Sequence, residues 1–165
     1  MKRPAPRRAS VIVVTYNGLE ETTVPCIESV LGKTGWPDLE VVVVDNHSSD
    51  GTPGYLRGLA ARDSRVRCVL NAANRGFAGG NNDGLRVATG DFIVLLNSDT
   101  IVTEGWLDGL LAPLEAAPAV GLAGPVSNDS SVGDPPRRQS IEVTLLMPPR
   151  LFTQTCRPRS PKTRT

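Results

Sequence analysis

Short apolar runs alternate with stretches whose apolar residues recur at spacings of three and four, and this rhythm holds as far as about Pro125. Ser10 to Tyr16 is rich in β-branched residues and stops at the turn signal Asn17-Gly18, which predicts a strand. Leu19 to Leu31 carries Val24, Ile27, Val30 and Leu31 at helical spacing, with Gly32 and Gly35 marking its end. Glu40 to Val44 is a second strand, ending at Asp45-Asn46, and Thr52-Pro53 opens a short helix with proline in its first turn. Val66 to Leu70 is a third strand, and Ala78 to Ala88 reads as a helix despite its glycines. Phe92 to Leu96 has no polar alternation, as expected of a central parallel strand covered on both faces. Glu104 to Ala116 is a helix with Trp106, Leu107, Leu110, Leu111 and Leu114 inward, and Val120 to Ala123 is expected to add a short fifth strand. Strands separated by helices imply parallel pairing and a doubly wound sheet.

The rhythm fails after Pro125. Residues 126–140 are turn-rich, and 141–165 hold one brief apolar run, Val143 to Met147, amid proline and arginine. The expected organisation is therefore a basic, disordered terminus over 1–9, an α/β domain over 10–128 and a Pro/Arg-rich irregular tail over 129–165. Truncation or an altered reading frame stays open as the origin of that tail.

Charge sharpens the picture. The chain of 165 residues has a net charge of +1, but the sign is segregated. Residues 1–9 carry 4 basic groups and no acid, residues 10–134 carry 7 basic against 16 acidic groups, and residues 135–165 carry 7 basic groups against Glu142 alone. So acidic a centre disfavours non-specific DNA or RNA binding, and only 4% aromatic residues argues against base stacking on a nucleic acid. The basic ends suit either solvent or anionic lipid headgroups. Cys26, Cys68 and Cys156 are odd in number and scattered, which gives no disulfide framework and points to a reducing compartment. Val11 to Val14 is too short for a signal peptide or a membrane span. The expected location is cytoplasmic, with contact at the inner membrane face as an option.

Three polar clusters follow strands: Thr15-Tyr16-Asn17, Asp45-Asn46 with the turn after it, and Asn97-Ser98-Asp99. In a parallel sheet these exits share one edge, where open α/β sheets bind ligands. Asn97 and Asp99 are two residues apart, so in extended chain their side chains point the same way. An amide oxygen beside a carboxylate suits Mg²⁺ or Mn²⁺, which takes few protein oxygens and completes its shell with phosphate and water; a polar strand exit that merely caps the next element is the alternative. A fourth segment, Asn74 to Gly84, is rich in Gly and Asn at a helix start. Its glycines either let backbone amides approach an anion or pack helix closely on sheet. Arg75 is either a counter-charge for a diphosphate or a surface arginine. His47, the only histidine, reads as a turn residue, and Trp36 and Trp106 as packing residues.

Taken in order, SVIVVTYNG, VVVVDNHSSDGT, NRGFAGGNNDG and GDFIVLLNSDT followed by GWL resemble the family 2 glycosyltransferases of the GT-A fold, closest to their rhamnosyltransferase-like branch, over roughly residues 10–128. The resemblance implies a GT-A, doubly wound, mostly parallel sheet flanked by helices, cut short of the full family domain. It implies transfer of a sugar from a UDP- or dTDP-sugar to a saccharide or lipid-linked acceptor, inverting and assisted by Mg²⁺ or Mn²⁺. Position by position, Thr15, Tyr16 and Asn17 match the lining of the base pocket. Asp45, with Asn46, matches the acidic position that contacts base or ribose, although capping its own turn is an equal reading of Asp45. Asn74, Gly76 and the Asn81/Asn82 pair match the segment that shapes the nucleotide-sugar site, and Asn97-Ser98-Asp99 matches the metal-binding D-x-D motif. There Asp99 is the main ligand, and Asn97 contacts metal, ribose or a bridging water. None of the later carboxylates, Asp129, Asp134 and Glu142, stands in the family's base motif, so the catalytic residue is unassigned. A truncated, catalytically incompetent nucleotide-sugar-binding module is the alternative. A nucleotidyltransferase is disfavoured, because no Gly-rich basic loop follows the first strand.

Overall fold

The computed structural model describes residues 7–116, 121–124 and, as backbone, 144–146. Strands β1 (Ala9–Thr15), β2 (Leu39–Asp45), β3 (Val66–Leu70) and β4 (Phe92–Asn97) alternate with helices α1 (Val24–Lys33), α2 (Thr52–Arg62), α3 (Gly76–Val87) and α4 (Trp106–Ala116). The sheet order is β3-β2-β1-β4-β5, in which the first four strands are parallel and β5 (Thr144–Leu146) runs antiparallel to β4. The doubly wound, mostly parallel architecture is thus the observed one.

Two expectations are corrected. Gly121 to Gly124 form no strand, and Val120 lies outside the described residues; the fifth strand is Thr144–Leu146, inside the segment expected to be irregular. Its register sets Thr144 against Leu95 and Leu146 against Ile93, so the open edge of β4 supplies its hydrogen-bond partners. The helix expected from Leu19 begins instead with a π-helical turn, Leu19–Thr23, in which Thr23 N–H reaches back to the Gly18 carbonyl. The regular helix starts beside Pro25, whose missing N–H is tolerated in a first turn.

Strand alternation sorts the core into two layers. Val11, Val13, Val41, Val43, Val94 and Leu96 face one side, with Cys26, Ile27 and Val30 of α1, Leu56 and Leu59 of α2, and Leu107, Leu111 and Leu114 of α4. Ile12, Val42, Val44 and Ile93 face the other, with Leu85 and Val87 of α3. Both faces being covered explains the runs of consecutive valine, and each such side chain fully withdrawn from water contributes roughly 1.5–3 kcal/mol. Trp36 packs edge-on against Phe92 and donates to the Arg7 carbonyl at 2.8 Å, and Trp106 donates to Thr34 Oγ1 at 2.9 Å. Both tryptophans are packing residues.

At the N-terminal edge, buried Glu40 accepts from the Ser10 hydroxyl, from Thr89 N–H at 2.8 Å and from Arg67 Nη1 at 3.1 Å. These donors tie β1, β2, β3 and the turn before β4 together, at the end of the sheet opposite the polar clusters.

Candidate functional site

The register aligns Thr15 with Asp45, Val14 with Asn97 and Asp45 with Leu70, so the exits of all four parallel strands lie level along one edge. Two loops there are knitted together. Asn17, in left-handed conformation at φ 55°, accepts from Ser49 N–H through its side-chain oxygen at 2.9 Å, and its own N–H donates to Ser48 Oγ at 2.7 Å. Asp45 accepts from Ser48 N–H at 3.2 Å and is almost wholly buried. The Asp45 carboxylate therefore caps the turn that follows it. Thr15 is buried with its hydroxyl paired to Thr23, whereas Tyr16 stands exposed above them. His47 occupies an exposed left-handed turn position.

Asn46 is the hub of the next loop. Its amide nitrogen donates to Asn74 Oδ1 at 2.9 Å and to the Gly76 carbonyl at 3.1 Å, while its oxygen accepts from Asn71 Nδ2 at 3.2 Å and Arg75 N–H at 2.9 Å. Both donors and both lone pairs are used, and the residue is 3% exposed. Asn46 thus fixes Asn71 to Gly76 in place and has no bonding capacity left for a ligand. Asn74 Oδ1 is likewise spent, accepting also from Gly76 N–H at 2.8 Å. Arg75 folds back along α3 to Asp83 at 3.2 Å, and Asp83 also holds Arg86 and Asn71. The guanidinium is an ion-pair partner of Asp83 and does not line the cavity of Asn97 and Asp99.

Asn97 and Asp99 behave differently. Among the described residues neither side chain has a hydrogen-bond partner, and both line a cavity of about 320 Å³ together with Ser98, Val14 and Phe77. The backbone beneath them is fixed: the Asn97 carbonyl accepts from Thr100 N–H at 3.2 Å and from the Cys26 thiol at 3.5 Å. Burial pushes that thiol up to about 12, and the Asp99 charge acts in the same direction, so Cys26 stays a neutral donor. No cluster of three His, Cys, Asp or Glu exists among the described residues. One carboxylate and one amide oxygen, free and facing a cavity, fit a hard divalent cation whose remaining ligands come from phosphate and water. Asn82 is exposed on α3 and does not line the cavity.

Phe77 and Val14 are the residues that sequence reasoning missed. Phe77 is the one large apolar side chain in the Asn74 to Gly84 segment, and that isolation was the available signal.

A parallel sheet with helices on both faces, whose β1, β2 and β4 exits meet at one ligand-ready edge, is the GT-A class of α/β domain. Comparison with known proteins makes this specific. The family described as "Glycosyl transferase family 2" matches residues 10–163. The succinoglycan biosynthesis protein ExoO of Rhizobium meliloti is 38% identical over 117 residues, covering 71% of this chain and 32% of that protein. The Escherichia coli UDP-Glc:alpha-D-GlcNAc-diphosphoundecaprenol beta-1,3-glucosyltransferase WfaP is 33% identical over 90 residues, covering 54% of this chain and 34% of that protein. The mannosyltransferase PcManGT of Pyrobaculum calidifontis, solved with GDP-Man and Mn²⁺, superposes with a TM-score of 0.66 at 31% identity, covering 75% of this chain and 36% of that chain. The chain belongs to glycosyltransferase family 2, and it spans about a third of the length of the curated relatives it matches.

Proposed function

We propose that residues 10–128 are the donor-binding part of a glycosyltransferase that takes a UDP- or dTDP-sugar and transfers the sugar, with inversion, to a saccharide or lipid-linked acceptor. The observation that carries this reading is the pair Asn97 and Asp99, whose side chains have no hydrogen-bond partner among the described residues and line a cavity at the convergent strand exits. Asp99 is the main ligand for Mg²⁺ or Mn²⁺ and Asn97 the second. Such a cation, when bound, supplies charge stabilisation to a leaving diphosphate. Tyr16, Asn17 and Thr15 form the β1 side of the nucleoside pocket, Asp45 its β2 side, and Asn74, Gly76 and Asn82 its α3 flank, with Asn46 acting through the loop it holds. Because Asp45 is buried and accepts from Ser48 N–H, a nucleoside reaches its carboxylate only after the turn at Ser48 shifts.

Inversion requires a carboxylate to take the acceptor hydroxyl's proton as the bond from C1 to the diphosphate oxygen breaks. Asp129, Asp134 and Glu142 lie outside the described residues, and the base is left unassigned. A second reading, a nucleotide-sugar-binding module without catalysis, has one observation in its favour: among the described residues Asp99 is the sole carboxylate lining the cavity. The motif spelling supports the rhamnosyltransferase-like branch and a dTDP-sugar, whereas the name of WfaP supports UDP-glucose and a diphosphoundecaprenol-linked acceptor. With a lipid-linked acceptor the protein works in the cytoplasm at the inner membrane face; no described helix is long and apolar enough to cross a membrane.

The test is isothermal titration of UDP-glucose, dTDP-rhamnose and GDP-mannose into the whole chain, with Mn²⁺ and with chelator, repeated on Asp99→Ala. Binding that needs the metal and disappears in the variant supports the reading, and the preferred donor assigns the branch. A folded chain that binds none of them overturns it. Product formation on added acceptors then separates enzyme from module.

A further inference from the structure

Phe77 is 58% exposed, belongs to neither apolar cluster of the core, and yet forms a wall of the cavity that Asn97 and Asp99 line. Its position is tightly prescribed. Gly76 before it takes φ 68°, a conformation that side-chain-bearing residues rarely adopt. The Gly76 carbonyl is held by Asn46, and the Phe77 carbonyl by Asn81 Nδ2 at 3.0 Å. Gly80 then lets α3 approach β1 so closely that a Cβ there would lie 2.6 Å from Val14 Cγ1, which brings the Phe77 end of the helix beside Val14. A left-handed glycine, a saturated asparagine and a close helix contact thus hold in place a ring that contributes nothing to the core.

Resting on the donor-site reading above, we infer that Phe77, backed by Val14, is a specificity residue that stacks on the apolar C–H face of the donor's sugar ring. The cavity that Phe77 shares with Asn97 and Asp99 assigns the occupant. Along the edge the nucleoside pocket spans β2 and β1, the metal-ready pair ends β4, and Phe77 with Val14 lies at the β1–β4 side beside that pair. A nucleotide sugar whose diphosphate sits at Asp99 carries its sugar on the far phosphate, within reach of the same cavity, whose apolar lining is Phe77 and Val14. A pyranose has polar edges and an apolar C–H face, which matches a cavity lined by both the polar Asn97, Ser98 and Asp99 and the apolar Phe77 and Val14.

The experiment compares each nucleotide sugar that the intact chain binds, among UDP-glucose, dTDP-rhamnose and GDP-mannose, with its own nucleoside diphosphate, in Mn²⁺, for wild type, Phe77→Ala and Phe77→Leu. Stacking on an aromatic face predicts roughly three- to tenfold weaker sugar-nucleotide binding in Phe77→Ala, with the diphosphate unchanged within about twofold. Phe77→Leu, which keeps apolar bulk without the flat face, falls between. Thermal melting stays at the wild-type value, since the ring lies outside the core. Equal losses for both ligands place Phe77 against the nucleoside, and no loss removes it from the site; either result overturns the assignment alone. Failure of the wild-type chain to bind any of the ligands overturns the donor-site reading together with it.

Discussion

Gly80 faces Val14 with no room for a side chain between them: a Cβ at Gly80 would sit 2.6 Å from Val14 Cγ1. One turn on, a Cβ at Gly84 would lie 2.5 Å from Ile12 Cγ2. Gly80 and Gly84 are therefore a packing surface, and the closeness of helix to sheet sets where the α3 N-terminus meets the cavity. Gly80→Ala is expected to cost about 1–3 kcal/mol, the usual effect of overpacking an interior, read as a lower urea midpoint at unchanged slope. Donor binding should weaken as well, because the helix start moves with the strain. A Gly80→Ala chain of wild-type stability would show that α3 does not pack on β1 as described.

The four hydrogen bonds of Asn46 make a second, separable claim. Asn46→Asp keeps the shape but turns two donors into acceptors, opposite Asn74 Oδ1 and the Gly76 carbonyl. Leaving buried polar groups mismatched should cost about 1–3 kcal/mol, more if the carboxylate stays charged. Amide exchange at Arg75 and Gly76 should accelerate well beyond the global change, since those N–H groups lie in the loop that Asn46 holds. Exchange that rises equally across the whole chain would mean that the loop has no special dependence on this residue.

Glu40 predicts a pH dependence. Burial alone would raise its pKa, but hydrogen bonds from Ser10, Thr89 and Arg67 outweigh that, and the folded carboxyl lies below its ordinary value of 4.5. Below that pH the unfolded chain binds the proton more readily than the folded one. The contribution of Glu40 to stability is therefore complete above about pH 4.5 and lost as pH falls through the depressed folded value. Glu40→Gln should destabilise the chain at pH 7 by about 1–3 kcal/mol and remove this part of the acid sensitivity. Denaturant midpoints from pH 3 to 7 check both parts, and parallel pH profiles for the two proteins would exclude Glu40 as a source.

Much of this was legible along the chain, for definite reasons. Glu40 to Val44 and Phe92 to Leu96 lack alternation because both faces of the sheet are covered, so apolar runs read as parallel strands. Ala78 to Ala88 read as a helix despite its glycines, and the structure shows why they are tolerated: Gly80 and Gly84 lie on one side, against the sheet. The antiparallel strand at Thr144–Leu146 was not legible, since three residues carry no period and pairing on β4 is what makes them a strand. In the site, the oxygen-bearing types of Asn97 and Asp99 were readable at the strand exit, but the extended spacing expected of them was not met: Ser98 and Asp99 form a turn closed by Thr100 N–H on the Asn97 carbonyl, and the turn brings both residues to the cavity. The difference between Asn46, spent on its neighbours, and Asn97, unpartnered among the described residues, depends on which loops meet in space. So does the fate of Arg75, whose partner Asp83 lies two helical turns away.

The pair Asn97 and Asp99 yields the last prediction. Asn97 leaves the proposed cation site one negative charge short of two adjacent carboxylates, and cation affinity rises with ligand charge. Asn97→Asp should tighten Mn²⁺ binding, measured without nucleotide by electron paramagnetic resonance, by roughly tenfold. Without metal the same change should destabilise the chain by about 1 kcal/mol, because two carboxylates then face one cavity. Adding Mn²⁺ should therefore raise the melting temperature of Asn97→Asp more than that of wild type. These effects have opposite signs, so general damage to the fold cannot imitate them. Unchanged Mn²⁺ affinity in a folded Asn97→Asp chain would mean that residue 97 does not face the cation, and Asp99 would then hold it with phosphate and water alone.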